Sequence, residues 1–325
     1  MKTVVIVGGG SATFNLLKGL REFPTNNIIV VSTADNGGST GTLRNDLGVM
    51  PWGDIRQCLV GLSYTAPALC NLFSYRFDRG SLKGHSAGNI ILAALEKVMG
   101  SPEGAIAETA RLLNVRGEVL FVSREPTMLS ARLADGTLIT GEHDIDEPIT
   151  KRRSKIARLS LSSAEANPRA LDALARADAI ILGPGDLYTS TLPNLLVPGI
   201  ADAIRRSRAK KILITNLMTK FGQTDGFAAS DFLRVVNEYL GVEVIDIVIL
   251  NTEKPTQSVL KLYKKEKAEF VAPDSQKLKE SGVQVVERHL IGKTLHQKTN
   301  GDALKRSILK HDYKKTAELI WESIK

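Results

Sequence analysis

The chain has 325 residues, of which 43% are hydrophobic and 24% are charged, a balance typical of a globular protein that can bury a core without disulfides. Its two cysteines, Cys58 and Cys70, lack the C-x-x-C spacing of a metal site, and their number excludes a disulfide framework and indicates a reducing, cytoplasmic compartment. The apolar run at residues 4–7 is too short for a secretory signal, and no stretch approaches the ~18 apolar residues of a membrane span.

The formal net charge of +8 includes the short runs 151–153, 205–208 and 264–265. Because these runs are scattered and not interleaved with aromatic residues, we expect solvated surface and no nucleic-acid partner.

The first elements in chain order predict a βαβ unit. Residues 4–7 form a β-branched run typical of a buried parallel strand, and a turn of three glycines and a serine follows at residues 8–11. Apolar residues then recur on one helical stripe up to Leu20, Pro24 stops the helix, and residues 28–32 read as the second strand. Units of this kind give right-handed crossovers and parallel sheets.

The middle of the chain predicts helices and then a small antiparallel elaboration. Helices are expected at residues 55–63, 68–76, 86–99 and 102–114. From about 117 to 163 the pattern changes: residues 119–122 read as a strand, and Asp135-Gly136 lies between two apolar runs, which favours a hairpin. We expect this hairpin to elaborate one α/β domain spanning residues 1–325.

The α/β alternation returns after Pro168. The expected elements are helices at 169–176, 200–206, 232–240 and 313–324, and strands at 179–182, 212–215 and 245–250. The chain therefore predicts an α/β fold with a parallel sheet.

The glycine-rich turn at residues 8–11 is the first candidate binding loop. Glycines let the backbone approach a phosphate closely, and a helix N-terminus offers unpaired N–H groups and the positive end of its dipole. Gly9, Gly10 and Ser11 are the expected contacts. The third glycine of the dinucleotide motif G-x-G-x-x-G is replaced by Thr13, so a tight turn without a ligand remains the alternative.

The second candidate loop, residues 35–41, follows the second predicted strand. Both loops should open at one edge of the sheet, because ligands of α/β proteins bind beyond the carboxyl ends of the strands. Asp35 can bond a ribose hydroxyl or hold Mg²⁺ through water, and Arg44 is placed to neutralise phosphate. Gly37, Gly38 and Ser39 would supply donors, whereas the alternative is an ordinary Gly-Gly turn.

Two further sets of small polar residues repeat this design. Residues 84–89 precede a helix and contain His85, which is either a ligand or acid/base group or only a cap or hydrogen-bonding residue. Residues 183–190 follow an apolar strand, and Asn216 ends the next strand. No Ser-His-Asp arrangement, G-x-S-x-G or H-E-x-x-H motif appears. Asp54 reads slightly better as a helix N-cap than as a functional carboxylate.

Together these segments resemble the gluconeogenesis factor (YvcK-like) family. The resemblance rests on G-G-G-S at residues 8–11, A-D-N-G-G-S-T-G-T-L-R at 34–44 and P-W-G-D-I-R at 51–56. It continues through G-H-S-A-G-N at 84–89, residues 183–200, and the tail K-H-D at 310–312, so it covers nearly the whole chain in order.

The resemblance implies a doubly wound, Rossmann-like fold and a nucleotide-diphosphate ligand. Similar proteins are thought to bind UDP-sugars such as UDP-N-acetylglucosamine and to regulate cell shape and carbon metabolism without requiring a cofactor. The related 2-phospho-L-lactate transferase uses a GDP-linked lactyl donor with Mg²⁺, so a Mg²⁺-dependent transferase is the alternative. The second family aspartate is Asn36 here and the usual T-G-L is A-T-F at residues 12–14, which weakens the transferase interpretation.

A dinucleotide oxidoreductase is a further alternative, and it is disfavoured because the third glycine of the dinucleotide motif is missing. A homo-oligomer is an allowed assembly state. Asp35 is also the predicted contact for Mg²⁺ if that ion is used. The predicted nucleotide-binding residues are Gly9, Gly10, Ser11, Asp35, Asn36, Gly37, Gly38, Ser39, Arg44, His85, Asn89, Gly183, Gly185, Asp186, Leu187, Tyr188 and Asn216.

Overall fold

A computed structural model describes residues 1–148, 154–293 and 308–325. Within these residues the strands are β1 (Lys2–Val7), β2 (Thr25–Val31), β3 (Glu118–Phe121), β4 (Leu129–Leu133), β5 (Leu138–Thr140), β6 (Ile156–Leu161), β7 (Ala179–Leu182), β8 (Lys210–Ile214), β9 (Ile247–Asn251) and β10 (Gln284–Arg288). The helices are α1 (Gly10–Leu20), α2 (Gly38–Leu47), α3 (Trp52–Gly61), α4 (Pro67–Ser74), α5 (Ala87–Met99), α6 (Pro102–Leu112), α7 (Glu142–Asp146), α8 (Pro168–Arg176), α9 (Leu192–Leu195), α10 (Ile200–Arg206), α11 (Ala229–Leu240), α12 (Gln257–Lys265), α13 (Ser275–Glu280) and α14 (Tyr313–Ile324). A single π-helical turn, Leu187–Thr191, precedes α9.

The main sheet is parallel and is buried on both faces at its centre. Its strand order is β10-β9-β8-β7-β1-β2-β3. In β1, Val5 and Val7 pack into one hydrophobic cluster, whereas Val4 and Ile6 pack into a second cluster. Because helices cover both faces, these strands carry continuous apolar runs and do not alternate with polar residues. The predicted doubly wound α/β fold is confirmed.

The order of the strands reverses beside β1. The chain runs outward from β1 through β2 to β3, and then returns to β7 on the other side of β1 before continuing outward to β10. Strands β1 and β7 are neighbours, and the loops that leave them run in opposite directions. Such a switch point opens a crevice beyond the carboxyl ends of the strands, where α/β proteins bind ligands.

A three-stranded antiparallel sheet, ordered β5-β4-β6, forms the elaboration. Its hairpin is confirmed: Gly136, at a φ of +88°, turns the chain between β4 and β5, and its N–H donates to the Leu133 carbonyl over 3.0 Å. The elaboration was predicted to begin near residue 117, and this boundary was wrong because the first strand after that residue, β3, belongs to the main sheet. Strand β3 pairs in parallel with β2 at the edge of the main sheet, because its apolar residues are buried there.

Several other boundaries also differ from the sequence-based expectation. Helix α2 was not predicted, since Gly38 to Gly41 have low helix propensity, and the short elements β10, α12 and α13 were missed. The basic run 151–153 lies outside the described residues. In the described ranges, no helix combines the length and apolar character that crossing a bilayer requires. Cys58 and Cys70 are both free.

The C-terminal helix packs directly against the first helix. A Cβ added to Gly19 of α1 would overlap the Tyr313 carbonyl oxygen at the start of α14, so glycine permits this close contact. The rings of Phe23 and Trp321 stack nearby with centroids 5.9 Å apart. Helix α14 therefore supports the helix that the first glycine loop opens.

Candidate functional site

A cavity of about 580 Å³ opens beyond the carboxyl ends of β1, β2, β7 and β8. Its volume lies within the range of small-molecule and cofactor sites. The glycine wall consists of Gly9, Gly10, Ser11, Gly37, Ser39, Thr40 and Gly53 at the ends of β1 and β2 and the start of α3. The charged wall consists of Glu142 and Asp146 on α7, Asp186 after β7, and Lys220 after β8.

Within the glycine wall, Gly9 makes room for the Asp54 carboxylate. Gly9 is the N-cap of α1 and has extended backbone, with φ −154°. A Cβ there would overlap Asp54 Oδ2. The expectation that Asp54 is a helix N-cap was wrong, because Pro51 caps α3 and Asp54 lies in its first turn. The carboxylate thus lies beside the α1 N-terminus, where a negative charge is favoured.

Asp35 is fixed at the start of α2 by short-range contacts. Its Oδ1 accepts a hydrogen bond from the Gly37 N–H over 2.9 Å. A Cβ on Gly53 would lie 2.8 Å from Asp35 Oδ2 and 2.5 Å from Thr40 Oγ1, so Gly53 allows both side chains to approach. Burial raises the pKa of Asp35, and Asp146 adds to this, although the hydrogen bonds from Gly37 and Thr40 and the charge of Arg44 oppose it.

Ser39 and Asn89 form a buried polar network with Arg56. Asn89 Nδ2 and the Ser86 N–H each donate to Ser39 Oγ over 3.3 Å. Arg56, only 5% exposed, donates from Nε to Asn89 Oδ1 over 2.8 Å and from Nη1 to the Phe73 carbonyl over 3.1 Å. Ser39, Asn89 and Arg56 also line the cavity. A fixed guanidinium beside a hydroxyl and an amide is a suitable environment for phosphate oxygens.

An ion-pair network holds the charged wall together. Lys220 Nζ contacts Asp146 and also Asp186 Oδ2 over 2.5 Å. Thr189 Oγ1 and Gln223 Nε2 donate to Asp146 Oδ1 over 2.8 and 3.2 Å. This network connects α7 of the elaboration to the loops after β7 and β8 of the main sheet.

The same network shifts the pKa values of its members. Burial alone would raise the pKa of Asp146, but the charge of Lys220 and the hydrogen bonds from Lys220, Thr189 and Gln223 lower it. For Asp186, burial dominates and the pKa is raised despite Lys220. Burial would lower the pKa of Lys220, but Asp186 and Asp146 raise it overall. Lys220 is therefore a fixed positive charge at any physiological pH.

Glu142 has the most strongly raised carboxyl pKa of the charged wall. Burial is the main cause, followed by the negative charges of Asp35, Asp146 and Asp54, and Lys220 opposes them only partly. The Glu142 carboxyl consequently retains its proton to a higher pH than an ordinary glutamate.

His311 closes the cavity from the C-terminal segment, close to Asn216. Its Nε2 lies 3.1 Å from the Thr215 carbonyl oxygen, and an Nε2–H group would donate to that oxygen. Burial lowers the pKa of His311 to about 4, although the contact with Thr215 opposes the shift. The imidazole is therefore neutral near pH 7.

The structure brings ten of the predicted site residues to this one cavity. They are Gly9, Gly10, Ser11, Asp35, Gly37, Ser39, Asn89, Gly185, Asp186 and Asn216.

The other predicted residues lie behind the cavity surface. Arg44 donates from Nη2 to the Thr127 carbonyl over 2.9 Å, so it braces the loop from behind. Asn36 Oδ1 accepts from the His143 N–H over 2.9 Å, and His85 Nδ1 lies 3.2 Å from Ser39 Oγ. Leu187 and Tyr188 are buried in the core. Gly38 and Gly183, with φ values of +45° and +77°, provide turns that other residues rarely adopt.

The cavity residues that were absent from the predicted site include Arg56, Glu142, Asp146, Lys220 and His311. Arg56 lies in P-W-G-D-I-R and His311 lies in K-H-D, two segments that carry the family resemblance, so the sequence contained a signal for both residues. Glu142, Asp146 and Lys220 had no such signal. Glu142 and Asp146 lie on one helix of the elaboration, and the loop after β8 brings Lys220 to Asp146 across 74 residues.

Asp35 is the residue predicted to contact Mg²⁺. In the parts of the chain that the structure describes, no group of three or more His, Cys, Asp or Glu side chains is arranged to hold a metal ion. A Mg²⁺ ion here would need phosphate oxygens and water for most of its ligands, with Asp35 contributing at most one carboxylate.

Comparison with known proteins places the chain in a family. Residues 4–291 match the family model of 2-phospho-L-lactate transferase CofD. The chain is 41% identical to the gluconeogenesis factor of Halalkalibacterium halodurans over 324 residues, which cover 99% of this chain and 96% of that protein. It is 37% identical to the gluconeogenesis factor of Bacillus subtilis over 323 residues, which cover 99% and 98% of the two chains.

A solved structure agrees with these matches. The crystal structure of a UPF0052 family protein from Bacillus halodurans superposes with a TM-score of 0.90 at 40% identity and covers 98% of both chains. The chain therefore belongs to the gluconeogenesis factor family, which is related to 2-phospho-L-lactate transferase CofD.

Proposed function

We propose that the protein binds a nucleotide-sugar of the UDP-N-acetylglucosamine type in this cavity and acts as a cytoplasmic regulator of carbon metabolism and cell shape. The observation that carries the proposal is the convergence of the loops after β1, β2 and β7 on one cavity of about 580 Å³. The helices α1 and α2 begin in that cavity with Gly9 and Gly37 as N-caps, and glycine has no side chain that could accept hydrogen bonds from the first N–H groups. Those N–H groups favour an anion.

The diphosphate would lie against the glycine wall and the Ser39–Asn89–Arg56 network. Arg56 and Asn89 are 5% and 2% exposed, so neither would need to be ordered on binding. Arg76, which also lines the cavity, donates to the Gly84 carbonyl over 2.5 Å and adds positive charge. The base and sugar would occupy the remainder of the cavity.

A calorimetric titration with UDP-N-acetylglucosamine, UDP and GDP tests this proposal. We expect saturable binding of UDP-N-acetylglucosamine, and a loss of at least about tenfold in Arg56→Gln, because hydrogen bonds from a charged group to phosphate are strong. Ser39→Ala should weaken binding less. Arg111→Gln is the matched control, because Arg111 is exposed on α6 and pairs with Glu108. The absence of binding of every UDP and GDP compound at millimolar concentration would contradict the proposal.

A transferase that uses a nucleotide-linked donor and Mg²⁺ is the second candidate. The match to the CofD model and the position of Asp35 and Asp54 in the cavity favour it. Product release from a nucleotide-linked donor that depends on Mg²⁺ and disappears in Asp35→Ala would distinguish this candidate from a binding protein.

A further inference from the structure

The two walls of the cavity differ in their balance of charge. At the charged wall, the carboxyls of Glu142, Asp146 and Asp186 share one cation, Lys220. At the glycine wall, Asp35 and Asp54 are accompanied by Arg56 and by the N-termini of α1 and α2. A diphosphate should therefore be repelled more strongly from the charged wall, because the interaction of like charges is strong where water is partly excluded.

Glu142 is held in this position by the loop after β2. It is the first residue of α7, and the N–H of the preceding Gly141 donates to the Leu129 carbonyl over 2.8 Å. Asn36 Oδ1 accepts from the N–H of the following residue, His143, and a Cβ on Gly141 would lie 2.9 Å from Asn36 Nδ2. Asn36 thus braces α7 from both sides of Glu142, next to Asp35.

We propose that Glu142 recognises the uncharged, hydroxyl-bearing part of the nucleotide-linked ligand and so discriminates a nucleotide-sugar from a bare nucleotide. The inference rests on the proposed function and adds an orientation to it. The phosphates face the glycine wall and Arg56, and the sugar faces α7.

The chemistry of the surrounding groups favours a hydroxyl over a charged partner at Glu142. The charged groups that act on it are Asp35 from the end of β2, Asp54 from α3, Asp146 from α7 and Lys220 from the loop after β8. With burial, the three carboxylates raise the Glu142 pKa. A carboxyl accepts hydrogen bonds from sugar hydroxyls whether or not it is protonated, and the raised pKa of Glu142 favours the protonated form, which does not repel a nearby phosphate. Lys220 is the cation that already pairs with both Asp146 and Asp186 at this wall.

Titrations of four proteins with UDP-N-acetylglucosamine and with UDP test the inference. The proteins are the wild type, Glu142→Ala, Glu142→Gln and the control Asp144→Asn, whose side chain lies on the exposed face of α7. Glu142→Ala should lose about tenfold in affinity for the sugar nucleotide, the scale of one or two hydrogen bonds, and keep its affinity for UDP. Glu142→Gln should keep the sugar-dependent gain, because an amide also donates to and accepts from a hydroxyl.

The outcomes separate this inference from the proposed function. If the wild type binds UDP-N-acetylglucosamine and Glu142→Ala retains the full difference between the two ligands, the role of Glu142 is overturned and the binding function stands. An equal loss for both ligands in Glu142→Ala, with thermal unfolding unchanged, would also overturn it. If the wild type binds neither ligand, both proposals fail together.

Discussion

The two walls of the cavity are built by different physical means. In the glycine wall, close approach is made possible by absent side chains: Gly9 admits Asp54, and Gly53 admits Asp35 and Thr40. In the charged wall, α7 is held to the main sheet by the contacts of Lys220 with Asp146 and Asp186. The geometry of the glycine wall is set by the space that the glycines leave and should change little with pH. The geometry of the charged wall is set by ion pairs and should change when their members gain or lose protons.

This difference indicates which wall is rigid and which can respond to conditions. Close packing is insensitive to salt and to protons, because it is fixed by atomic contact. A partly buried ion pair is sensitive to both and loses its stabilising effect when either member is neutralised. We therefore expect the glycine wall to set the position of the ligand and the charged wall to adjust the affinity.

The largest expected effect is that of Lys220→Met. The substitution leaves Asp146 and Asp186 without their shared cation. We expect the free energy of unfolding at pH 7 to fall by about 3 kcal/mol. This is the low end of the range for breaking a buried ion pair, because the Asp186 side chain is 39% exposed. Lys220 lowers the pKa of Asp146, so its contribution exists above the pKa of an unfolded aspartate and is lost as the pH falls through the folded value. Urea unfolding at pH 7 and pH 3 should therefore show a smaller difference in acid. Lys2→Met, at the exposed Lys2–Asp178 pair, is the control and should cost less than about 1 kcal/mol.

Gly9→Ala should have the next largest effect, in the other wall. The extended backbone at Gly9 tolerates alanine, so the whole penalty should come from overlap with Asp54, about 2 kcal/mol. In a double-mutant cycle, Asp54→Ala should restore most of the stability that Gly9→Ala removes. Additive losses would show that Gly9 serves some other contact.

His311→Gln should change the dependence of stability on pH. The folded pKa of about 4 lies below the ordinary value of 6.5, so the neutral ring stabilises the fold above pH 6.5 and this contribution is lost as the pH falls toward 4. Between pH 7 and pH 4.5 the wild type should lose about 1 to 2 kcal/mol more than the variant. His289→Gln, at an exposed position, is the matched control for the loss of an imidazole.

Glu142→Gln should have the smallest effect on stability. Its dependence on pH should be opposite to that of His311→Gln. The raised folded pKa means that Glu142 favours the folded state at low pH, and this benefit is lost as the pH rises through the folded value. The glutamine variant should accordingly be more stable than the wild type at pH 8 by about 1 kcal/mol, the scale of one repulsive contact between carboxylates, and equal to it below pH 4. Melting temperatures across this range would measure the difference.

The sequence predicted one wall of the cavity far better than the other, because the two walls depend on different ranges of contact. Strands β1 and β7 and their glycine turns were predicted from contiguous residues, since buried parallel strands and glycine turns are local signals. Asp146 and Lys220 meet only because the elaboration folds back over the sheet, which no local pattern encodes. Helix α2 was missed for a related reason. A Cβ on Gly41 would overlap the Asn36 carbonyl oxygen, so a residue with poor helix propensity is required by packing.

The contact between α1 and α14 has a consequence for synthesis of the protein. Gly19 and Tyr313 are neighbours in space but lie almost a full chain length apart, so the first glycine loop receives its final support only after residues 313–324 have left the ribosome. Long-range closure of this kind is slow compared with local helix formation. A nascent chain halted before α14 would therefore carry the first glycine turn without the partner of its helix, and ligand capture should follow completion of the chain.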